Sequence, residues 1–171
     1  MAILIDTSAV VGIGWSAIIG HYRLEESYLS VLATSLSNPN KGLEAAAKNG
    51  DMDLVLYFVS KGANDWNLAM RWAAKGGHMD LVLYFVSQGA NDWNWAMYGA
   101  AKGGHMDLVT YFVSKGANDW NDAMCGAAQE GHIDLVLYFI SQGANDWKMG
   151  LYWATEEKHE KLIEFFKSRM N

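Results

Sequence analysis

A 27-residue unit returns almost letter for letter along this chain. Residues 65–91 read DWNLAMRWAAKGGHMDLVLYFVSQGAN; residues 92–118 differ from them at 5 of 27 positions, and residues 119–145 at 7. A looser copy precedes them at 38–64 and a shortened one follows at 146–171. Self-similarity at a fixed period of about 20 to 50 residues is the mark of a stacked array, in which no unit can bury its apolar face alone. Few other architectures tolerate near-identical consecutive units. The domain reading follows directly: an array over 38–171, in copies 38–64, 65–91, 92–118, 119–145 and a closing segment 146–171, preceded by a distinct segment 1–37.

Each copy holds two short helical patterns. Asp65 is a good N-cap, because its carboxylate can accept from the orphan amides of a first turn. The spacing predicts a first helix over about 66–75, stopped by Gly76-Gly77, and a second over about 78–88, ended by Gly89 in the left-handed cap position. Asp80 lies in the second helix's first turn, where the helix dipole favours a carboxylate. Helices of about ten residues are marginal alone in water, so stacking must hold them. Small Ala69, Ala73 and Ala74 let first helices approach closely, while Leu81, Val82, Tyr84, Phe85 and Val86 give the second helix its bulk. Met79 and its counterparts Met52, Met106 and Ile133 read as core.

Composition narrows the function. Hydrophobic residues make up 51% of the 171 residues and charged residues 19%, enough apolar material for a core. The formal net charge is −6, so the chain lacks the basic footprint that phosphate contacts require, and nucleic acid is not an expected partner. One cysteine, Cys125, permits no internal disulfide, which suits a reducing, cytoplasmic setting. The apolar stretch 1–20 carries no basic residues before it, unlike a secretory signal. Its uncharged run from Ala9 to Gly20 is shorter than the roughly 20 residues a membrane span needs. Residues 21–37 read as a helix with Leu24, Tyr28, Val31, Leu32 and Leu36 on one face, either a capping helix or a degenerate repeat. The phrase ILIDTSAVV resembles the opening strand of PIN-domain nucleases, with Asp6 at their first metal-binding aspartate. That fold needs further acidic residues on a parallel sheet, and the repeats leave no room for one.

The run AAKGGHMDLVLYFVSQGAN, repeated in register four times, resembles the second half of an ankyrin repeat (A-A-x-x-G-H-x-x-V-V-x-L-L-L-x-x-G-A-D). The usual unit has 33 residues and carries T-P-L-H in its first helix; here 27 residues read W-N-x-A-M. The missing residues fall where ankyrin repeats form their β-hairpin finger. The resemblance therefore implies an all-α solenoid of four to six helix-turn-helix units lacking that finger. Short units with GANDWN junctions are similar to ankyrin-like proteins of large DNA viruses. This resemblance implies a role in host cytoplasm or in a virus particle.

Comparing copies within the chain separates scaffold from surface. In the first helix the differences fall at 68, 71, 72 and 75, the i, i+3, i+4, i+7 spacing of one helical face. That face carries Leu68, Arg71, Trp72 and Lys75, then Trp95, Tyr98, Gly99 and Lys102. It continues with Asp122, Cys125, Gly126 and Gln129, and ends with Met149, Tyr152, Trp153 and Glu156. In ankyrin-like arrays the resemblance places this face in the groove where partner proteins dock. Trp, Tyr and Arg most often dominate binding energy. The expected partner-binding set is therefore Leu68, Arg71, Trp72, Trp95, Tyr98, Lys102, Asp122, Tyr152 and Trp153. The competing reading of the same residues is a solvated face, or aromatics filling space beside Gly99 and Gly126.

Other features read as structural. Trp66, Trp93, Trp120 and Trp147 do not vary and are expected to pack at the repeat junctions. His78, His105, His132 and His159 form a ladder, but equivalent helices lie roughly 8–10 Å apart. Two histidines sharing a zinc must each come within about 2.1 Å of it. No metal or cofactor is expected, and the resemblance implies that each histidine bonds a neighbouring turn. Cys125 has no base beside it, and no nucleophile elbow, acidic pair or phosphate loop is present, so no enzyme is expected. Leu56, Leu83 and Leu137 occupy a second-helix position where ankyrin repeats usually expose a charged residue. Such an apolar stripe marks a contact surface. Two readings follow: an adaptor or scaffold that binds a protein through the varied face, or a structural component assembling, with itself or with other chains, through residues 1–37 and this stripe.

Overall fold

The structure, a computed structural model, describes residues 38–170. The readings placed on residues 1–37, including Asp6 and the helix over 21–37, lie outside the described residues. Within them the chain forms five helix pairs: α1 Pro39–Asn49 with α2 Met52–Ser60, α3 Trp66–Gly76 with α4 Met79–Ser87, α5 Trp93–Gly103 with α6 Met106–Ser114, α7 Trp120–Glu130 with α8 Ile133–Ser141, and α9 Trp147–Glu156 with α10 Glu160–Met170. Helices and the short connections between them account for the described residues, and among these no strand occurs where a β-hairpin finger would stand.

Local chemistry sets these boundaries. The carboxylates of Asp65, Asp92 and Asp146 accept from the third amide beyond them, at 3.1–3.2 Å, whereas Asp119 makes no such cap. Each first helix closes with a pair of backbone bonds that satisfies its last carbonyls. In α3 these run from His78 N–H to the Ala73 carbonyl and from Gly77 N–H to that of Ala74. Gly77 holds φ 82° there, a conformation that L side chains rarely adopt, and the His105 ring lies where a Cβ would stand. At the equivalent place in the last pair, Lys158 takes φ 61°.

Packing follows the difference in side-chain size. Consecutive first helices lie side by side, α1 on α3, α3 on α5, α5 on α7 and α7 on α9, while each second helix packs mainly on its own partner. Ala69, Ala73, Ala74, Ala96, Ala100, Ala101, Ala123, Ala127 and Ala128 are fully buried between the first helices. Phe85, Phe112, Phe139 and Phe166 fill the layer between first and second helices with no exposed surface. Met70, Met97 and Met124 are equally buried, a core contribution that the periodicity did not single out. The small residues thus lie in the first-helix row and the bulky ones in the second-helix row; we term the first-helix row the inner side and the second-helix row the outer.

The junctions are held by a ladder of asparagines. Asn67 Oδ1 accepts from the backbone amides of Asn91 (2.8 Å) and Asp92 (3.0 Å) in the next turn. Asn40, Asn94 and Asn121 do the same for 64–65, 118–119 and 145–146. In the last pair Lys148, which cannot accept, stands at this position. Trp66 stacks on Phe85 (6.4 Å between centroids) and Trp93 on Phe112 (6.5 Å), so the invariant tryptophans at the helix starts lean on the core.

Candidate functional site

Because the first helices pack side by side in one row, the varied positions 68, 71, 72 and 75 and their counterparts recur along one side of it, with Gly99, Cys125 and Gly126 among them buried. Its centre is an aromatic cage. The Arg71 guanidinium lies 5.2 Å from the Trp72 ring, 4.9 Å from Trp95 and 5.4 Å from Tyr98, joining two consecutive repeats. Each such contact is worth about 0.5–2 kcal/mol depending on desolvation. Two lysines approach the Trp72 ring, Lys48 at 5.8 Å and Lys75 at 5.9 Å. The Trp72 indole N–H is buried and has no hydrogen-bond partner among the described residues.

The glycines on this face make room for the large side chains. A Cβ on Gly99 would collide with the Arg71 backbone carbonyl, and one on Gly126 would press on the Tyr98 ring and the Lys102 stem. Arg71, Trp72, Trp95, Tyr98 and Lys102 are therefore partly buried against neighbouring repeats, Leu68 likewise, whereas Asp122 and Tyr152 are exposed and Trp153 is half-buried. The structure thus brings Arg71, Trp72, Trp95 and Tyr98 into one cluster. It sets Tyr152 and Trp153 apart at the far end, edge to face at 5.1 Å. Tyr152, at the position by which Tyr98 leans on the following repeat, is 51% exposed, and its neighbour Met149 is 46% exposed.

Charge is distributed unevenly along the same face. In the last turn of successive first helices stand Lys48, Lys75, Lys102, Gln129 and Glu156. The Glu130 carboxylate reaches back to Lys75 (3.3 Å) and Lys102 (3.6 Å), and Lys102 also donates to Gln129 Oε1 at 2.8 Å. Burial first, then the charge of Lys75, pushes the Lys102 ammonium down. Burial pushes the Glu130 carboxyl up, but the hydrogen bonds and charges of Lys75 and Lys102 outweigh it, and the net shift is downward. Burial also pushes the Cys125 thiol up to about 12, with Asp146 and Asp122 adding to it. A thiol held protonated is a poor nucleophile.

The histidine ladder has a structural use. His78, His132 and His159 donate from Nε2 to the carbonyl oxygens of Lys48 (3.0 Å), Lys102 (3.2 Å) and Gln129 (3.0 Å), in the last turn of the preceding first helix. They supply partners to carbonyls that a helix end leaves open. Among the described residues no cluster of three or more His, Cys, Asp or Glu is placed to hold a metal ion, and no helix is long and apolar enough to cross a membrane. On the outer side, Leu56, Leu83 and Leu137 are exposed at 47%, 48% and 44%.

Residues 43–123 match the family model described as ankyrin repeats, present in three copies. Over this span the array is built of ankyrin repeats. A search of curated proteins finds none that matches significantly. Ankyrin repeats are in general non-catalytic modules of protein–protein interaction. In this ankyrin array sequence reasoning missed the asparagine ladder and the internal engagement of Arg71. The signal for the first was the invariance of Asn40, Asn67, Asn94 and Asn121, broken only at Lys148. The second had none, because a residue's neighbour in the next repeat is invisible in its own.

Proposed function

We propose that this chain is a non-enzymatic adaptor or scaffold whose ankyrin array docks a partner protein across the varied inner face. Leu68, Arg71, Trp72, Trp95, Tyr98, Lys102, Asp122, Tyr152 and Trp153 are the contact residues in this reading. One observation carries it: over residues 65–145, copies that are nearly identical elsewhere diverge at first-helix positions 68, 71, 72 and 75, which helical spacing puts on one side of the helix, and otherwise in that helix only at its end, where Glu130 replaces glycine. A purely structural stack would gain nothing by varying there. The pre-formed cage of Arg71 with Trp72, Trp95 and Tyr98 supports the same reading, because rigid aromatic and arginine side chains lose little entropy when a partner arrives.

The exposed leucines of the outer side favour a second reading, in which the protein is a structural component, of a virus particle or another regular assembly, that packs through Leu56, Leu83 and Leu137. Affinity capture with the full chain separates the two. Trp95→Ala and Tyr98→Ala are expected to lower capture of the principal partner at least about tenfold, a loss typical of hot-spot truncation, with Leu83→Glu neutral. The reverse pattern makes the outer side the interface.

A further inference from the structure

The inner face of the first three repeats is chemically one-sided. Lys48, Lys75 and Lys102 stand in register on consecutive helices, with Arg71 between them and the Trp72 indole beneath two of them. All are donors, and none can accept a hydrogen bond. The one carboxylate of the first three repeats on this face, Glu44, is already paired with Lys41 at 2.9 Å. This cationic strip sits in a chain whose formal net charge is −6, so it is a local feature and not a by-product of composition.

The strip already shows what it accepts. Glu130 replaces the Gly76 and Gly103 of other copies, and its carboxylate lies across Lys75 and Lys102. Its side chain is 39% exposed, so a carboxylate from outside can take its place. Lys48, in the first described repeat, has no carboxylate near it among the ion pairs of the described residues. Burial and then the charge of Lys75 push Lys102 toward losing its charge, against the pull of Glu130, and an added anion offsets the repulsion between the two lysines.

We propose that this strip binds an extended acidic segment of a partner protein, with carboxylates about three residues apart, each meeting one lysine of the Lys48–Lys75–Lys102 row. The spacing comes from geometry: neighbouring helices stand roughly 8–10 Å apart, and three residues of a chain in the polyproline II conformation make one full turn, spanning about 9 Å and returning to the same face. The proposal rests on the inner-face reading above and names the chemistry of its partner. A long polyanion such as single-stranded nucleic acid fits less well, because Asp122, Glu130 and Glu156 continue the same face and repel it.

The test uses the full chain and a labelled synthetic peptide of repeating Glu-Gly-Ser, read by fluorescence anisotropy. The comparison peptides carry glutamine for glutamate, or the same glutamates in one contiguous block. The spaced glutamate peptide is expected to bind at least about tenfold more tightly than either, from the sum of three modest ion pairs, and to weaken as sodium chloride rises from about 0.05 to about 0.5 M. Combined Lys48→Ser, Lys75→Ser and Lys102→Ser is expected to abolish the preference, while Glu130→Gln strengthens binding by freeing two lysines. Single Lys48→Gln, far from the core, keeps the test valid if the triple variant misfolds, and is expected to cost about threefold. Equal affinity for the glutamine peptide, indifference to the lysine substitutions, or tighter binding of single-stranded DNA overturns the proposal. If it fails while Trp95→Ala and Tyr98→Ala still abolish partner capture, the inner face stands and the acidic chemistry is wrong. If those two variants leave capture intact, the inner-face reading falls, and this inference with it.

Discussion

Burial with Asp146 and Asp122 nearby holds the Cys125 proton tightly, and the sign of the resulting pH dependence can be worked out. In the unfolded chain a thiol titrates near about 8.5. Above that pH the unfolded state releases a proton that the native state keeps until about 12, so stability falls as pH rises between the two values, by at most about 1.4 kcal/mol per pH unit. Urea midpoints measured from neutral pH to above pH 10 are expected to show this decline. The Cys125→Ala variant is expected to have a shallower slope, whatever its absolute stability. Lys158 gives the same kind of local reading. It occupies the left-handed region that Gly50, Gly77, Gly104 and Gly131 occupy elsewhere, but those glycines each carry the histidine of the following repeat against them. No histidine packs on Lys158 among the described residues, so a side chain there meets only the backbone cost.

At the scale of elements, the two-residue bridge made by each asparagine takes over part of the work of the shortened junction. Asn94 Oδ1 accepts from two backbone amides, at 2.8 and 3.1 Å. Neutral hydrogen bonds contribute about 0.5–1.5 kcal/mol each. Asn94→Ala is therefore expected to cost about 1–3 kcal/mol in chemical denaturation, and Asn94→Asp, which keeps the acceptor, distinctly less. Helix positions were legible in the sequence because capping chemistry is local: Asp65 before Trp66 and the glycine pair after Lys75 placed α3 to within one residue. The asparagine bridges were not legible, because they join residues 24 and 25 positions apart, and an invariant Asn in a first turn reads equally well as a local helix-start residue. The varied face was found because divergence follows helical spacing. That Arg71 is held by Trp95 and Tyr98 required three dimensions, since the divergence of each copy says nothing of which neighbour its side chain touches.

For the whole molecule, near-identity of the copies makes stability a sum of repeat and interface contributions. Removing residues 92–118 joins Asn91 to Asp119 and leaves Asn67 facing the same pair of junction amides. That deletion is expected to give a folded, helical protein with a lower Tm, while removing a stretch of similar length out of register with the 27-residue unit is expected to abolish cooperative unfolding; circular dichroism distinguishes them. Along the array, the inner face changes from lysine-rich to carboxylate-bearing, and the outer face carries leucines except at Thr110 and Glu164. The stack thus has a direction as well as two sides.

The asparagine bridges give that direction a temporal meaning. Every acceptor lies upstream of the two amides it holds. On a ribosome, each newly emerging junction therefore meets an acceptor synthesised 24 positions earlier. The histidines run the other way: the Lys48 carbonyl waits for His78, 30 positions downstream, so each growing edge is closed only by the repeat that follows it.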